Sequence, residues 1–277
     1  MLRIPAAVSI LLCLSSPAWS QAPPTPTVVP PQTAPNFVKK PVAKSKPIAK
    51  QPVASENGPC KLGVISAIGD RFSVEKFGLT VFETEESYIP IEDWGLDDLV
   101  FGRVRAATND DPAVRRIAYP KGAFEPYFNP KSRLLPDPRA GLPAIVHSFT
   151  ATTNCERYVV VTRVRAEDPG IQLTLDGIGA YNRGIGSLLR TSHLFANFTI
   201  NVLDGRTYEN LNRPFAGAGA RFSQSMRITE DPLNKLDNSQ FPEPAAAAAS
   251  SATLREKTRA LVAARLDQTL PDYLGKQ

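Results

Sequence analysis

Two cysteines, Cys60 and Cys155, each stand at the start of an apolar run that is typical of a buried β-strand. In an oxidising compartment, an isolated pair of cysteines most simply forms a disulfide. Such a bond holds two strand starts at the same edge of a sheet, so we expect these strands to be close and roughly parallel. Two unpaired buried thiols are the alternative. A zinc site is disfavoured, because the cysteines and the two histidines lack the paired spacing of zinc ligands.

The N-terminus has the three parts of a secretory signal peptide. Arg3 supplies a positive charge, residues 4–14 form an apolar run, and residues 18–20 give the small-x-small motif that a signal peptidase requires. The apolar run is too short to span a membrane. Lipidation at Cys13 is the alternative, but a leucine precedes it where lipoprotein signals carry a small residue. The sequence therefore predicts a signal peptide over residues 1–20 and an exported, periplasmic or extracellular protein.

Residues 21–59 have the composition of a disordered linker. Ten of these 39 residues are proline, and few of the others could contribute to a core. This segment contains five lysines and one acidic residue, whereas residues 60–277 are formally neutral. A nucleic-acid-binding domain carries its basic excess on the folded part, so this class is disfavoured. The lysines instead favour weak attraction to anionic lipid or cell-wall polymer. They are Lys39, Lys40, Lys44, Lys46 and Lys50.

Residues 60–230 have the pattern of one α+β domain. Residues 62–68 form an apolar, partly β-branched run, which predicts a well-buried strand. Residues 72–77 alternate between apolar and polar side chains, as a half-buried strand does. Further short strands are predicted at 79–82 and 88–91.

The first predicted helix follows these strands. Asp93 is of a residue type that favours the N-cap position. Apolar residues at i, i+3, i+4 and i+8 then share one face. They are Leu96, Leu99, Val100 and Val104. Asp97 and Asp98 lie in the first turn, where acidic side chains complement the helix dipole. A metal or acid–base site is the alternative for these aspartates, but solvated charges at a helix start are commoner.

A second helix and several strands are predicted downstream. Pro143 suits the first turn of a helix, whose apolar face would leave His147 on the opposite side. Residues 158–161 are a strong signal for a buried strand. Alternating apolar residues at 194–202 predict the clearest strand of the chain. Asp204-Gly205 then favours a two-residue hairpin turn with an antiparallel return.

The C-terminal part combines a linker and a helix. After a last strand candidate at 222–228, residues 231–250 are rich in Pro, Asn and Ala and indicate a linker. Residues 251–277 form an amphipathic helix that ends near its proline, with Thr253 and Glu256 as a capping box. This helix either packs on the sheet, the commoner arrangement, or binds a partner. The predicted fold class is α+β, a mixed β-sheet with helices packed mainly on one face and a disordered Pro/Lys-rich N-terminal tether.

Known catalytic and nucleotide-binding motifs fail at their key positions. The chain has no G-x-S-x-G elbow. Residues 69–73 resemble the start of a GDSL-type hydrolase block, except that Arg71 stands where that family carries its nucleophile. In the glycine-rich stretch 177–186, a dinucleotide fingerprint lacks its last glycine and a P-loop lacks its lysine. This stretch is predicted to be a flexible loop between two strands. The alternative is a ligand-facing loop that presents Tyr181, Asn182 and Arg183.

The function that these patterns favour is a non-catalytic binding or accessory module of the cell envelope. His147 and His193 each adjoin a serine, but adjacency in sequence does not make a triad. We predict no catalytic residue, no cofactor and no metal site. The expected partner is an envelope protein or an anionic polymer. The alternatives are a hydrolase in which acidic residues and a histidine converge, and a small-ligand carrier with an apolar cavity.

Overall fold

The computed structural model describes six stretches of the chain. They are residues 58–78, 84–130, 141–168, 173–185, 189–212 and 231–275. The chain divides into two units, residues 1–51 and 52–277, and every described residue belongs to the second. The predicted signal peptide, almost all of the predicted tether and the strand candidates at 79–82 and 222–228 lie outside the described residues. In the described part, no helix is both long and apolar enough to cross a membrane.

Strands outnumber helices in the described part. The strands are β1 (Cys60–Ala67), β2 (Arg71–Phe77), β3 (Glu85–Pro90), β4 (Val114–Arg116), β5 (Cys155–Arg163), β6 (Arg165–Asp168), β7 (Leu173–Asp176), β8 (Ile178–Ile185), β9 (Leu189–Ala196), β10 (Phe198–Asp204) and β11 (Lys235–Leu236). The helices are α1 (Leu96–Ala107), α2 (Glu125–Phe128), α3 (Leu142–Thr150) and α4 (Ala252–Leu274). Short 3₁₀ turns cover Glu92–Trp94, Asn238–Gln240 and Ala245–Ala248.

A four-stranded sheet contains the two cysteine-bearing strands. Its order is β10-β5-β1-β4, with β4, β1 and β5 parallel and β10 antiparallel to β5. Most of β1 and β5 is buried, as expected for parallel strands covered on both faces. Cys60 and Cys155 are register partners, and their disulfide places the Cα atoms 4.5 Å apart. The predicted disulfide and the predicted parallel pairing are both confirmed.

The remaining strands form a five-stranded sheet and a ribbon. The larger sheet has the order β11-β9-β8-β2-β3, in which β2 and β8 are parallel and the other described pairs are antiparallel. The ribbon pairs β6 with β7 in antiparallel fashion. Mixed sheets together with four helices in the described part confirm the predicted α+β class.

One hydrophobic core is shared by both large sheets and the two long helices. Its fully buried members include Phe72, Val100, Val159, Val161, Leu254 and Leu266. α1 and α4 pack against each other and contribute to this core. On the other face of the four-stranded sheet, Ile65 and Val160 pack with Ile145 and Val146 of α3. The four-stranded sheet is therefore covered on both faces, with the long helices together on one of them.

The chain crosses from one large sheet to the other within the predicted strand 194–202. β9 ends just before Asn197 and β10 begins just after it. The Asn197 backbone N–H donates to the Gly177 carbonyl at 2.7 Å, and its side-chain amide donates to the Leu175 carbonyl at 3.1 Å. The apolar alternation continues across this break because both strands face the shared core.

The predicted N-cap of α1, Asp93, is wrong. Gly95 holds the N-cap position with a φ of 64°, and the exposed Asp93 lies in the 3₁₀ turn before it. This turn buries Trp94, whose ring centre lies 5.0 Å from that of Phe72. Because the left-handed backbone at Gly95 suits a glycine, the chain can bury the indole and then start the helix.

Asp204-Gly205 does not form a two-residue hairpin turn. The Asp204 N–H donates to the Glu209 carbonyl at 2.9 Å, so residues 205–208 form the turn. The Asp204 carboxylate accepts two backbone N–H groups of this turn, each at 2.8 Å. The predicted antiparallel return is confirmed as an isolated bridge between β10 and Asn210.

Residues 231–250, which the sequence indicates as a linker, contribute to the fold. They contain β11 and two 3₁₀ turns. Leu236, Phe241 and Ala248 are buried in the shared core. The composition does not indicate this role, because each short element contributes only one or two apolar side chains to the core.

Both ends of α4 differ from those that the sequence predicts. Ser251 is its N-cap, and its Oγ accepts the Leu254 backbone N–H at 3.2 Å, so the predicted cap at Thr253 is wrong. The helix also continues past Pro271 to Leu274. Pro271 lies three residues before the end of the helix and lacks a backbone N–H donor.

We expect the disulfide to contribute much of the free energy of unfolding. It links residues separated by 95 positions, and the chain-entropy model gives roughly 4–5 kcal/mol for a loop of that length. The double variant Cys60→Ser/Cys155→Ser should lose about this amount in urea denaturation. Reduced wild-type protein is the control and should unfold like the double variant. A loss below about 1 kcal/mol would contradict the expectation.

Candidate functional site

The carboxyl ends of β4, β1 and β5 form the candidate site. β4 and β5 lie on opposite sides of β1, and α1 and α3 cover opposite faces of this sheet. In open α/β sheets, ligands bind beyond the carboxyl ends of the strands, where the direction of winding reverses. We call this region the carboxyl edge. It comprises the ends of β1 and β5, the first turn of α1 and the segment that follows β4.

Asp97, in the first turn of α1, is held against the turn that follows β1. Its Oδ1 accepts the Ser66 Oγ–H at 2.6 Å and the backbone N–H groups of Ile68 and Gly69 at 3.3 and 3.2 Å. Burial raises the pKa of this carboxyl above its ordinary value, although the hydrogen bonds oppose the rise. A solvated charge, the interpretation that the sequence favours, fits the exposed Asp98 but is wrong for Asp97.

A cleft of about 220 Å³ opens between β1, α1 and the segment after β4. Its lining combines the polar Ser66, Asp97, Arg116 and Tyr119 with the apolar Val64, Phe101 and Ile117. The Tyr119 hydroxyl donates to the Ser66 carbonyl at 2.6 Å. Burial, with the carboxylates of Asp97 and Asp70 nearby, raises the pKa of Tyr119. The cleft therefore holds a neutral phenol in a fixed position beside a carboxyl group.

Arg163, the last residue of β5, reaches across to Asp70, which follows β1. Its Nη1 donates to Asp70 Oδ2 at 2.5 Å, and its guanidinium carbon lies 3.5 Å from the ring centre of Phe128. The Arg163 side chain is 3% exposed and the Asp70 side chain 44% exposed. Burial lowers the pKa of Arg163, while the Asp70 carboxylate opposes this change. The pair connects the carboxyl ends of the two central strands.

A second polar group, which we call the polar strap, fastens the β6–β7 ribbon to β2 and β3. It consists of Arg71, Glu86, Tyr88, Arg165 and Asp176. Asp176 Oδ2 accepts from Arg71 at 2.6 Å and from the Tyr88 hydroxyl at 3.3 Å. Glu86 accepts from Arg165 at 3.3 Å. Arg165 and Asp176 are register partners in the ribbon, so both of its strands are held by charged contacts.

Glu75 lies beside the polar strap in a row that crosses the five-stranded sheet. The register partners in this row are Glu86, Glu75, Tyr181, His193 and Lys235. Glu75 is 3% exposed, and Ser73 Oγ donates to its Oε1 at 3.0 Å. Burial, assisted by the charge of Glu86, raises the pKa of Glu75 to about 7, although the Ser73 hydrogen bond opposes the rise. This carboxyl group therefore changes charge near neutral pH.

The three residues of the predicted ligand-facing loop belong to β8. Residues 178–185 form this strand, so the prediction of a loop is wrong. Tyr181 is buried beside Glu75 and His193, whereas Asn182 is buried on the other face, where its amide donates to Ser192 Oγ at 2.6 Å. Arg183 is exposed. Since neighbours on a strand point to opposite faces, these side chains do not converge, and ligand binding by them stays a prediction.

Gly179, one of the glycines that suggested a loop, has a packing role. A Cβ at Gly179 would lie 2.3 Å from the Ser73 carbonyl oxygen and 2.5 Å from the Phe195 ring. A glycine within a strand often marks such a close approach. Glycine-rich composition therefore gave the wrong secondary structure for this stretch.

The two histidines lie away from the carboxyl edge. His147 is exposed on α3, with its ring centre 4.8 Å from that of Tyr208. His193 stacks on Tyr181 at 5.0 Å. Neither lines the cleft beside Asp97. Across the described ranges, no group of three or more His, Cys, Asp or Glu side chains is arranged to hold a metal ion.

Sequence reasoning missed most of the carboxyl edge. Ser66 and Arg163 lie inside or at the end of apolar runs, and Tyr119 lies in a proline-rich segment. The available signal is position, because polar residues directly after parallel strands meet at one edge. Asp70 and Arg163 both satisfy that criterion once the two strands are known to pair.

Removing the Asp97 carboxylate should destabilise the domain. Asp97→Ala leaves the Ser66 hydroxyl and two backbone N–H groups without their acceptor, so we expect a loss of about 2 kcal/mol in the free energy of unfolding. Asp98→Ala is the matched control at the next position, whose ion pair with Arg116 is exposed, and should change stability by less than about 1 kcal/mol. Urea denaturation measures both. Equal losses of unfolding free energy in the two variants would contradict a stabilising role for the Asp97 hydrogen bonds.

Glu75 should make the stability of the domain depend on pH. Its pKa rises from 4.5 to about 7 on folding, so its contribution is fully present below about 4.5 and is lost as the pH rises to about 7. The loss is on the order of 3 kcal/mol. Glu75→Gln should flatten this part of the profile, measured by urea denaturation between those pH values. Glu85→Gln, at an exposed position of β3, is the control and should keep the slope. An unchanged slope in Glu75→Gln would contradict the assignment.

The chain matches no known protein family. Comparisons with protein-family models, with curated proteins and with solved structures find no match. The side chains of the carboxyl edge and their surroundings are therefore the basis for a function.

Proposed function

We propose that this protein is an exported, non-catalytic binding module that holds a small part of a larger partner at the carboxyl edge. The observation that carries this proposal is the cleft whose lining brings the polar Ser66, Asp97 and Tyr119 together with apolar side chains. Convergent polar groups in an apolar concavity are the usual form of a recognition site.

Binding is favoured because the polar groups of the cleft are already fixed by the fold. Asp97 Oδ1 accepts three hydrogen bonds, and the Tyr119 hydroxyl donates to a backbone carbonyl. Groups restrained in this way lose little conformational freedom when a partner arrives.

The size of the cleft favours a part of a partner over a whole cofactor. Its volume is about 220 Å³, below the range of about 300–1,000 Å³ that is usual for small-molecule pockets. A side chain or a chain end of an envelope protein or polymer has a suitable size. The lysines at 39–50 lie outside the described residues, and their attraction to anionic polymer stays a prediction.

Export is supported by the disulfide and by the N-terminal sequence. Disulfides such as Cys60–Cys155 form and persist in oxidising compartments, which for an exported bacterial protein means the periplasm or the outside of the cell. Residues 1–20 have the positive charge, the apolar run and the cleavage motif of a signal peptide. These two features are independent of each other, since one concerns the folded domain and the other the leader.

A hydrolase is the second candidate, and one observation favours it. Glu75 has a pKa near 7 and accepts a hydrogen bond from the Ser73 hydroxyl, an arrangement that could make a general base. Both side chains are almost completely buried, at 3% and 1% exposure. A substrate could reach them only after the β6–β7 ribbon had moved, so binding at the open cleft is the simpler function.

Site-specific photocrosslinking tests the binding proposal. A photoreactive phenylalanine analogue replaces Ala118, an exposed residue of the cleft lining, in the full chain expressed in cells. We expect a discrete crosslinked adduct in the envelope fraction after irradiation. Adding Asp97→Asn should reduce the adduct by about tenfold, since one hydrogen-bonding carboxylate is lost.

The matched control carries the same analogue at Ala260, an exposed alanine of α4 away from the cleft. It should give no adduct of that mass. Equal adducts at both positions, or none at Ala118, would reject the carboxyl edge as the binding site. An adduct confined to the cytoplasmic fraction would reject export.

A further inference from the structure

The buried Arg163 is a second recognition element at the carboxyl edge. Arginine side chains are rarely buried unless they are paired, and a buried donor without an acceptor is unfavourable. Arg163 is 3% exposed, and its Nη1 donates to Asp70. In the described part of the chain, neither Nε nor Nη2 has a hydrogen-bond acceptor within reach. Two buried donors of this side chain, Nε and Nη2, therefore make no hydrogen bond in the described part of the chain.

The two free donors belong to the same side of the guanidinium group. Nε–H and one Nη–H₂ group form the parallel pair that binds both oxygens of a carboxylate or phosphate. Asp70 occupies Nη1 and leaves this pair intact. The free side of Arg163 therefore has the geometry of an oxyanion receptor.

Neighbouring groups hold the guanidinium plane in place. Phe128 covers one face, with its ring centre 3.5 Å from the guanidinium carbon. At Gly177 a Cβ would lie 3.2 Å from Arg163 Cδ, so the glycine lets the backbone pass close to the arginine stem. The Phe128 ring on the guanidinium and the close backbone at the stem restrict the direction in which Nε and Nη2 point.

The charged groups around Arg163 form two ion pairs. Among the described residues, three of their nitrogen atoms lack an acceptor, whereas one carboxylate oxygen lacks a donor. Arg71 and Asp176 pair with each other beside the Arg163–Asp70 pair. Arg71 Nε also lacks an acceptor, and Asp70 Oδ1 lacks a donor. An anion with an N–H group next to it could accept from these arginine nitrogens and donate to Asp70 Oδ1. A carboxylate beside an amide, as at the end of a peptide, has this chemistry.

We propose that Arg163 anchors an oxyanion of the bound partner, with a carboxylate next to an N–H group as the preferred form. The inference rests on the proposed function, because both place the partner at the carboxyl edge. Nε and Nη2 are covered in the closed form, so binding requires Phe128 to move aside. Phe128 lies on the single turn α2 and is only partly buried.

Nuclear magnetic resonance of the arginine Nε–H groups tests the anchor directly on the purified, oxidised protein. N-acetylglycine, acetate and inorganic phosphate are titrated separately. We expect N-acetylglycine to shift the Arg163 Nε–H resonance saturably, and acetate to do so at about tenfold higher concentration because it lacks the N–H group. A larger shift with phosphate than with N-acetylglycine would overturn the preference for a carboxylate.

Two variants separate recognition from folding. Arg163→Lys keeps the charge but lacks the paired donors, so N-acetylglycine binding, followed by the chemical shifts of the cleft amides, should weaken at least tenfold. Arg165→Lys, at a half-exposed arginine of the polar strap, is the matched control and should bind as wild type does. Equal weakening in both variants would overturn the proposal. If Arg163→Lys does not fold, the wild-type titration alone decides.

The outcomes also distinguish this inference from the proposed function. A wild-type Nε–H resonance that exchanges with solvent and ignores all three probes would indicate an ordered water only, and would overturn the anchor. If the crosslink at Ala118 still forms, the binding module stands without it. A saturable shift without any crosslink would leave an anion site and reject the cellular partner at the cleft.

Discussion

The parallel pairing of β1 with β5 is the interaction on which the rest of the domain depends. Its amino end is closed by the Cys60–Cys155 disulfide and its carboxyl end by the Asp70–Arg163 hydrogen bond. One face of this strand pair contributes to the core shared with α1 and α4, and the other packs against α3. Three groups of the carboxyl edge take their positions from this pair, because Ser66, Asp70 and Arg163 belong to its strand ends or follow them directly.

The two large sheets form one body because apolar periodicity continues where the hydrogen-bonding partners change. At Asn197 the chain leaves one sheet and enters the other without turning its apolar face away from the shared core. The backbone groups freed at this break are satisfied by Gly177 and Val164. The periodicity of a sequence thus predicts which face is buried, but it does not tell which sheet a strand joins.

How far the sequence predicts this fold depends on whether the signal is local. The disulfide, the parallel strand starts and the α+β class follow from apolar runs and cysteine positions, and the structure confirms them. The start of α1 was wrong because Trp94 is buried by a tertiary contact with Phe72. β8 was mistaken for a loop because the reason for Gly179 is a neighbouring strand. The candidate site was missed because its residues converge only after the strands pair.

The distribution of buried charge indicates why the carboxyl edge, and not the polar strap, is the better candidate for recognition. Most strap residues are partly exposed, where ion pairs contribute little to stability and need no further explanation. Asp97 is partly buried and accepts three hydrogen bonds, which offset part of its desolvation. Arg163 is buried with two donors unfilled, so its desolvation is repaid only in part. An apolar residue would hold the end of β5 at lower cost, and a bound oxyanion would make the arginine the favourable choice.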